Sequence, residues 1–265
     1  MSVGMSPPYC TASRANIAAM PRQTRLSPAE LRVERQYQFV ADVVRGAARV
    51  LEVGCGRGDL ARRLGADGIA VTAIDRELPE VRPGPGVRFV HADICRYDDA
   101  PFDAVVFTAS LHHIDPLADA IDRAAKLLVP GGTLIVDDFD LDAPRPTTAR
   151  WYYETQELLV AAGLYAHDRI DHAPDDNPDP RMRWLDAHVH DPPLATGRKM
   201  IAAIAARFAI RDTTRGPYLY RYICGGLPDD DHGASVAQHV YAVEDRRVAA
   251  GTLDAVGLRI VAIAS

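Results

Sequence analysis

Lysine is almost missing from this 265-residue chain: Lys126 and Lys199 stand alone among 30 basic residues, and all the others are arginine. With 36 acids the formal net charge is −6, and no dense basic tract marks a nucleic-acid footprint, so no nucleic-acid partner is expected. Cysteine is scarce as well. Cys10, Cys55, Cys95 and Cys224 are scattered without a C-x-x-C pair, which argues against zinc or a disulfide framework and for a reducing, cytoplasmic setting. No apolar run approaches the length that spans a bilayer, so no membrane partner is expected. Residues 1–26 hold several arginines and serines but no secretory apolar segment, and read as a flexible extension. The remaining composition is that of a globular protein, and the length suits one α/β domain, residues 27–265, with an insertion.

What the chain does have is the stretch from Val50 to Leu60. Arg49 to Val53 is a β-branched, apolar run that reads as a buried parallel strand. Gly54, Gly56 and Gly58 follow at alternate positions, and Asp59 to Leu64 then sets off at helical spacing. A strand that passes through a glycine turn into a helix leaves backbone N–H groups bare at the helix start, which suits an anionic or strongly polar ligand. The dinucleotide fingerprint G-x-G-x-x-G needs its third glycine at position 59, where Asp59 stands, a poor neighbour for a pyrophosphate. The pattern present is Glu52-x-Gly54-x-Gly56-x-Gly58. A purely structural glycine turn is the competing reading, and Cys55 within it reads as a small residue in a tight turn rather than a nucleophile.

Around this loop the elements alternate. Ser27-Pro28-Ala29-Glu30 signals a helix start, and Leu31, Val33, Tyr37, Val40 and Val44 carry the helix toward Gly46. Ile69 to Ile74 is a second strand ending at Asp75, 17 residues past Gly58. An acid there can accept hydrogen bonds from both ribose hydroxyls of a nucleoside; a turn or helix cap is the alternative role. Val87 to Val90 is a third strand running into His91-Ala92-Asp93-Ile94, and Phe102 to Phe107 a fourth, followed by Thr108-Ala109-Ser110-Leu111-His112-His113. A helix opened by Asp115-Pro116 ends at Pro130-Gly131-Gly132, and Thr133 to Val136 is a fifth strand. This alternation predicts a doubly wound parallel sheet with the ligand over its carboxyl edge.

The glycine loop with its leading acid resembles motif I of the S-adenosylmethionine (SAM)-dependent methyltransferases with a Rossmann-like core. Phe102-Asp103-x-Val105 followed by Leu111-His112-His113 resembles the small-molecule branch, and the run Leu127 to Val136 is similar to the family too. The N-P-P-Y form used on bases and glutamine is absent. Over roughly residues 30–225 the resemblance implies a mostly parallel seven-stranded sheet, with a lid (141–197) inserted between the fifth and sixth strands. It implies SAM as cofactor and methyl transfer to a small organic acceptor by in-line displacement. The implied cofactor contacts are Glu52, Gly54, Cys55, Gly56 and Gly58 at the loop, Asp75 and Arg76 at the ribose, Asp93 and Ile94 at the adenine, and Thr108. Tyr37 of the leading helix is a further candidate, with a core role competing.

His112 or His113 is the candidate base if the acceptor must lose a proton, with His167 or Tyr153 as rivals and simple packing as the alternative. Asp137-Asp138 invites a magnesium reading, but the acid needed after the fourth strand is replaced by Thr108-Ala109-Ser110, so no metal is expected. In the lid, Trp151-Tyr152-Tyr153 can shape an acceptor pocket, and His167, His172, His188 and His190 lie in or beside a polar passage. Asp186-x-His188-x-His190 has no third ligand fixed by spacing, so a solvated loop is expected there. Phe208 to Asp212 and Tyr218 to Ile223, across Gly216-Pro217, read as the sixth and seventh strands; a helix from Ser235 and an apolar strand from Leu258 close the chain. Two other functions fit the same core: a methyltransferase of RNA or protein, and a SAM-binding partner or regulator without turnover.

Overall fold

The computed structural model describes residues 25–165 and 179–264. Cys10, His167, His172 and nearly all of the expected N-terminal extension lie outside the described residues. Seven strands form one sheet in the order β3-β2-β1-β4-β5-β7-β6. β1 (Arg49–Val53), β2 (Ala70–Asp75), β3 (Val87–His91), β4 (Phe102–Thr108) and β5 (Leu128–Phe139) are mutually parallel. β7 (Gly257–Ala264) runs antiparallel to both β5 and the edge strand β6 (Phe208–Gly216). The mostly parallel, doubly wound α/β architecture is therefore the one expected. β1 and β4 are buried almost throughout, which is why they read as near-continuous apolar runs.

Helix α1 (Pro28–Val43) begins with a reciprocal cap: the Ser27 hydroxyl accepts from the Glu30 N–H, and the Glu30 carboxylate accepts from the Ser27 N–H at 2.8 Å. With α2 (Asp59–Ala66) it covers one face of the sheet around Val50, Leu64 and Val106. The other face, around Leu51, Val105 and Leu134, is covered by α3 (Leu117–Leu127) and α6 (Gly197–Ala205). A third cluster, rich in aromatics, joins α4 (Pro146–Ala161), α5 (Pro180–Ala187), α7 (Tyr220–Cys224) and α8 (Asp231–Ala249) beyond the end of β5. No helix among the described residues is long and apolar enough to cross a membrane.

Three elements differ from the sequence reading. Tyr218 to Ile223 is not a strand: α7 begins there, and the seventh strand is the apolar tail of the chain, so α7 and α8 separate the two halves of the expected hairpin. The alternating Tyr-Leu-Tyr pattern is overridden by one distant carboxylate. Glu244 of α8 accepts the N–H groups of Tyr218, Leu219 and Tyr220 at 2.7, 2.9 and 2.7 Å, which satisfies a helix start instead of a ladder. Second, β5 begins at Leu128, so Pro130-Gly131-Gly132 lies within the strand, at an irregularity in its pairing with β4. Third, the polar passage expected as loop contains α5, capped by the Asp179 carboxylate on the Arg181 N–H. Its Trp184 is fully buried against Phe139 and Tyr152, and that burial holds a helix of weak local signal.

Glu244→Ala would strand three inward N–H groups, so it is expected to lower the unfolding free energy by about 3 kcal/mol or more. Glu244→Gln, which keeps one acceptor oxygen, should recover part of the loss. Denaturant titration measures both, and an unchanged midpoint for Glu244→Ala would contradict this role.

Candidate active site

β1 and β4 are neighbours from which the strand order runs outward in opposite directions, so the loops after them part at the carboxyl edge. The glycine loop after β1 is latched to β2: the Gly54 and Cys55 N–H groups donate to the Ile74 carbonyl, and the Gly56 N–H donates to Asp75 Oδ2 at 2.8 Å. A Cβ on Gly54 would fall 2.3 Å from the Ser110 Cβ, and one on Gly58 2.2 Å from the Phe89 ring. Gly56, at φ 50°, meets nothing within 4 Å. Two glycines let the loop pack, and the middle one leaves an open approach to the main chain.

The acids divide by role. Asp75 also accepts the Glu77 N–H, at 2.9 Å. Asp93 caps the short helical turn Ile94–Arg96 through the Cys95 N–H, and its other oxygen lies 3.8 Å from the Arg76 guanidinium. Ile94 is buried. Glu52 lies beneath the loop rather than in the open: it is 2 % exposed, takes one hydrogen bond from the Ala61 N–H of α2, and its Oε2 has no partner. Burial, helped by the charges of Asp59 and Asp75, pushes its carboxyl up to about 8. Burial likewise pushes the Cys55 thiol up to about 12, so it is no nucleophile. Thr108 is buried and paired with Asp137 across β4 and β5.

The leading helix reaches the loop through a different residue from the one considered. The Tyr37 hydroxyl donates to Asp67 at 2.6 Å, in the turn just ahead of β2 at the sheet's opposite edge. Arg32, one turn from the start of α1, lies close enough to Arg57 of the loop and to Arg221 of α7 to feel both charges. Its Nε is buried without a partner, and no carboxylate among the described residues pairs with it. Desolvation first, then Arg221, lowers its pKa. In a chain whose basic residues are nearly all arginine, nothing in the sequence distinguishes this one.

Past β4, Leu111–His113 forms one helical turn. His112 is buried, and its Nδ1 lies 2.6 Å from Asp138 Oδ1, while its backbone N–H donates to Asp138 Oδ2 at 3.2 Å. Asp138 is fully buried and also accepts the Phe139 N–H. His113 has no such carboxylate. It sits between His112, tilted against it, and His190, edge-on to it, with ring centroids at 4.0 and 5.3 Å, and desolvation followed by those two neighbours lowers its pKa to about 4. The aspartate pair is thus split: Asp137 takes Arg259 at 2.9 Å and Arg221 at 3.7 Å, and Asp138 takes His112. No three metal-binding side chains converge among the described residues, and the His188 ring is engaged by the Trp184 carbonyl and the Tyr222 hydroxyl.

A family model described as a methyltransferase domain matches residues 23–186, more than half of the chain. The chain belongs to that family. Its fold is that of the class I, SAM-dependent methyltransferases with a Rossmann-like core. Among its relatives, the uncharacterized methyltransferase Rv0089 of Mycobacterium tuberculosis is 43 % identical over 102 residues, 36 % of this chain and 52 % of the relative. The ubiquinone biosynthesis O-methyltransferase of Xylella fastidiosa is 39 % identical over 100 residues, 34 % of this chain and 41 % of the relative. The chain spans about half the length of the curated relatives it matches. The solved PH0226 protein of Pyrococcus horikoshii shares the fold at a TM-score of 0.54 and 14 % identity, covering 89 % of this methyltransferase and 92 % of that chain.

Glu52 yields a test by pH. Its folded pKa of about 8 lies above the ordinary 4.5, so between those values the folded state holds the extra proton and stability falls as pH rises. Glu52→Gln removes this slope, at most about 1.4 kcal/mol per pH unit. The variant's melting temperature should therefore gain on wild type steadily across that window. Parallel melting profiles would show that Glu52 does not carry it.

Proposed function

We propose that this methyltransferase moves the methyl group of SAM to a small organic acceptor by in-line displacement. The observation that carries the reading is the open Gly56 main chain in a loop of left-handed glycines, with Asp75 and Asp93 at the ends of the next two strands. Two orphaned groups fit the amino-acid end of the cofactor: Arg32 supplies a cation for its carboxylate, and the partnerless Glu52 Oε2 leaves a polar group beneath the loop, on a carboxyl that burial keeps protonated until an ammonium comes near. Asp75 serves the ribose hydroxyls, Asp93 the adenine amine and Ile94 the ring face; Arg76 steadies Asp93. When bound, SAM supplies a methyl already activated by its sulfonium. What the chain contributes is therefore mainly alignment and exclusion of water. The described helices of the insertion, α4 and α5, would exclude water by packing Tyr152 and Trp184 into the aromatic cluster that closes over the end of β5. A net charge of −6 and a relative named for ubiquinone biosynthesis favour a small acceptor over RNA or protein.

Methyl-labelled SAM, purified protein and an extract of the source cells test the reading. Label is expected among extractable small molecules; label in RNA or protein would reject the acceptor class while keeping the cofactor. Asp75→Ala should abolish the thermal shift that SAM induces, and a full shift would move the ribose elsewhere. Arg32→Gln should weaken SAM and its demethylated product alike, by about tenfold or more, as expected for one lost charge-assisted contact. It should leave the melting temperature without ligand unchanged or raised, because it removes an unpaired, half-buried charge. Calorimetry and melting curves decide between that and a merely structural Arg32, which would lower the melting temperature.

A further inference from the structure

Resting on the methyl-transfer reading, we infer that His112, held by Asp138, takes a proton from the acceptor, and that the acceptor atom is the hydroxyl oxygen of a planar aromatic compound. An ionised carboxylate can only accept a hydrogen bond, so the 2.6 Å contact with Asp138 puts the proton of a neutral His112 on Nδ1 and leaves the lone pair on Nε2. The second contact, from the His112 N–H to the same carboxylate, fixes the backbone as well as the ring. Asp138 is fully buried, and the nearby arginines are engaged by Asp137 instead. Arg221 also feels the Asp138 charge, but the His112 ring is the ionisable group in direct contact with the carboxylate. His113, one residue on, has no carboxylate and is crowded by two other imidazoles, which makes it a weak base.

The acceptor class follows from the proton and from the walls. An amine presented in its neutral form needs no base before attack, whereas a hydroxyl does. An aromatic hydroxyl, with a pKa near about 10, is within reach of an imidazole backed by a carboxylate. A cluster of buried rings begins at the dyad: Phe139 lies 4.7 Å from the His112 ring centroid, stacks on Tyr218 at 5.3 Å, and meets Trp184 and His188 of the insertion. A flat acceptor exchanges ring-on-ring contacts for equivalent ones. The titratable and charged groups around His112 are Asp137 and Asp138 on β5, His113 on its own turn, His188 and His190 after α5, and Tyr218, Tyr222 and the buried Arg221 at α7. In the step, the O–H bond breaks and its proton passes to Nε2. The oxygen pair forms the new C–O bond while the C–S bond breaks, its electrons returning to sulfur as a neutral thioether. His112 then releases the proton to solvent.

The test uses SAM carrying carbon-13 in its methyl, the wild-type protein and a small-molecule extract of the source cells. The carbon shift of the product should be that of an aryl O-methyl group. An N-, S- or C-methyl product, or no product from a protein that calorimetry shows to bind SAM, overturns the inference; failure to bind SAM overturns the methyl-transfer reading beneath it. On the identified product's precursor, His112→Gln should lower kcat by about 10²–10⁴-fold with SAM affinity unchanged. That defect should shrink as pH rises toward the acceptor's own ionisation. A defect constant with pH makes His112 structural. Asp138→Asn is read first without cofactor, by nitrogen NMR of the His112 ring. Loss of the single Nδ1–H tautomer is expected, with kcat falling by orders of magnitude, whereas an unchanged tautomer removes Asp138 as the positioning residue.

Discussion

One hydrogen bond holds the two working halves of this methyltransferase in register: the Ser110 hydroxyl donates to the Val53 carbonyl at 2.7 Å, just where β1 gives way to the glycine loop. The contact is tight enough that Gly54 can carry no side chain against Ser110. The loop on one side and the His112 turn on the other are thereby fixed to adjacent strands with little freedom between them. The proposed in-line displacement would depend on that separation, since both reactants must be held along one line at contact distance. Ala109, whose φ of 51° is the one left-handed non-glycine conformation among the described residues, sits in the same junction. Backbone strain at this point is the local cost of turning the chain sharply from β4 into the His112 turn.

Three buried carboxylates show how the chain assigns its polar groups. Glu244 is met by three backbone N–H groups, so it serves as a structural anchor even though burial pushes its carboxyl up to about 7. Asp138 is met by two N–H groups and an imidazole, a partner that can itself change charge. Glu52 is met by one N–H and has an oxygen left over beside a loop with an open face. Satisfaction declines from Glu244, far from the loop, to Glu52 directly beneath it. A buried oxygen without a partner is expensive, and burial limits that cost here by holding the Glu52 carboxyl protonated.

Legibility in the sequence follows the range of the interactions. β1 to β4 and the start of β5 are punctuated apolar runs, and the glycine loop, Asp75 and Asp93 sit next to them in the chain, so local pattern is enough to read the core and to bring these residues to one edge of the sheet. α7 was misread because its donors are satisfied by Glu244, some 24–26 residues away. α5 was misread because its stability comes from burying Trp184 on Phe139 and Tyr152, not from propensity. Arg32 and the link from His112 to Asp138, separated by 26 residues, are likewise invisible to spacing arguments. The differences gather in the aromatic cluster beyond the end of β5, which is built from side chains drawn together by tertiary packing.

His112 and His113 make the same point at the scale of one residue. Chemically identical and adjacent, they leave the turn after β4 in different directions, one onto a buried carboxylate and the other onto two imidazoles. The second environment, desolvated and crowded by imidazoles, opposes a positive ring at His113. The Leu-His-His pattern could nominate a pair of bases but had no means of ranking them, because the ranking lies in Asp138 at the far end of β5. The residue that reads as half of a metal-binding aspartate pair becomes the orienting partner of a histidine once its neighbour Asp137 is committed to Arg221 and Arg259. Charge pairing across the sheet, rather than any one motif, is what gives two adjacent aspartates different partners.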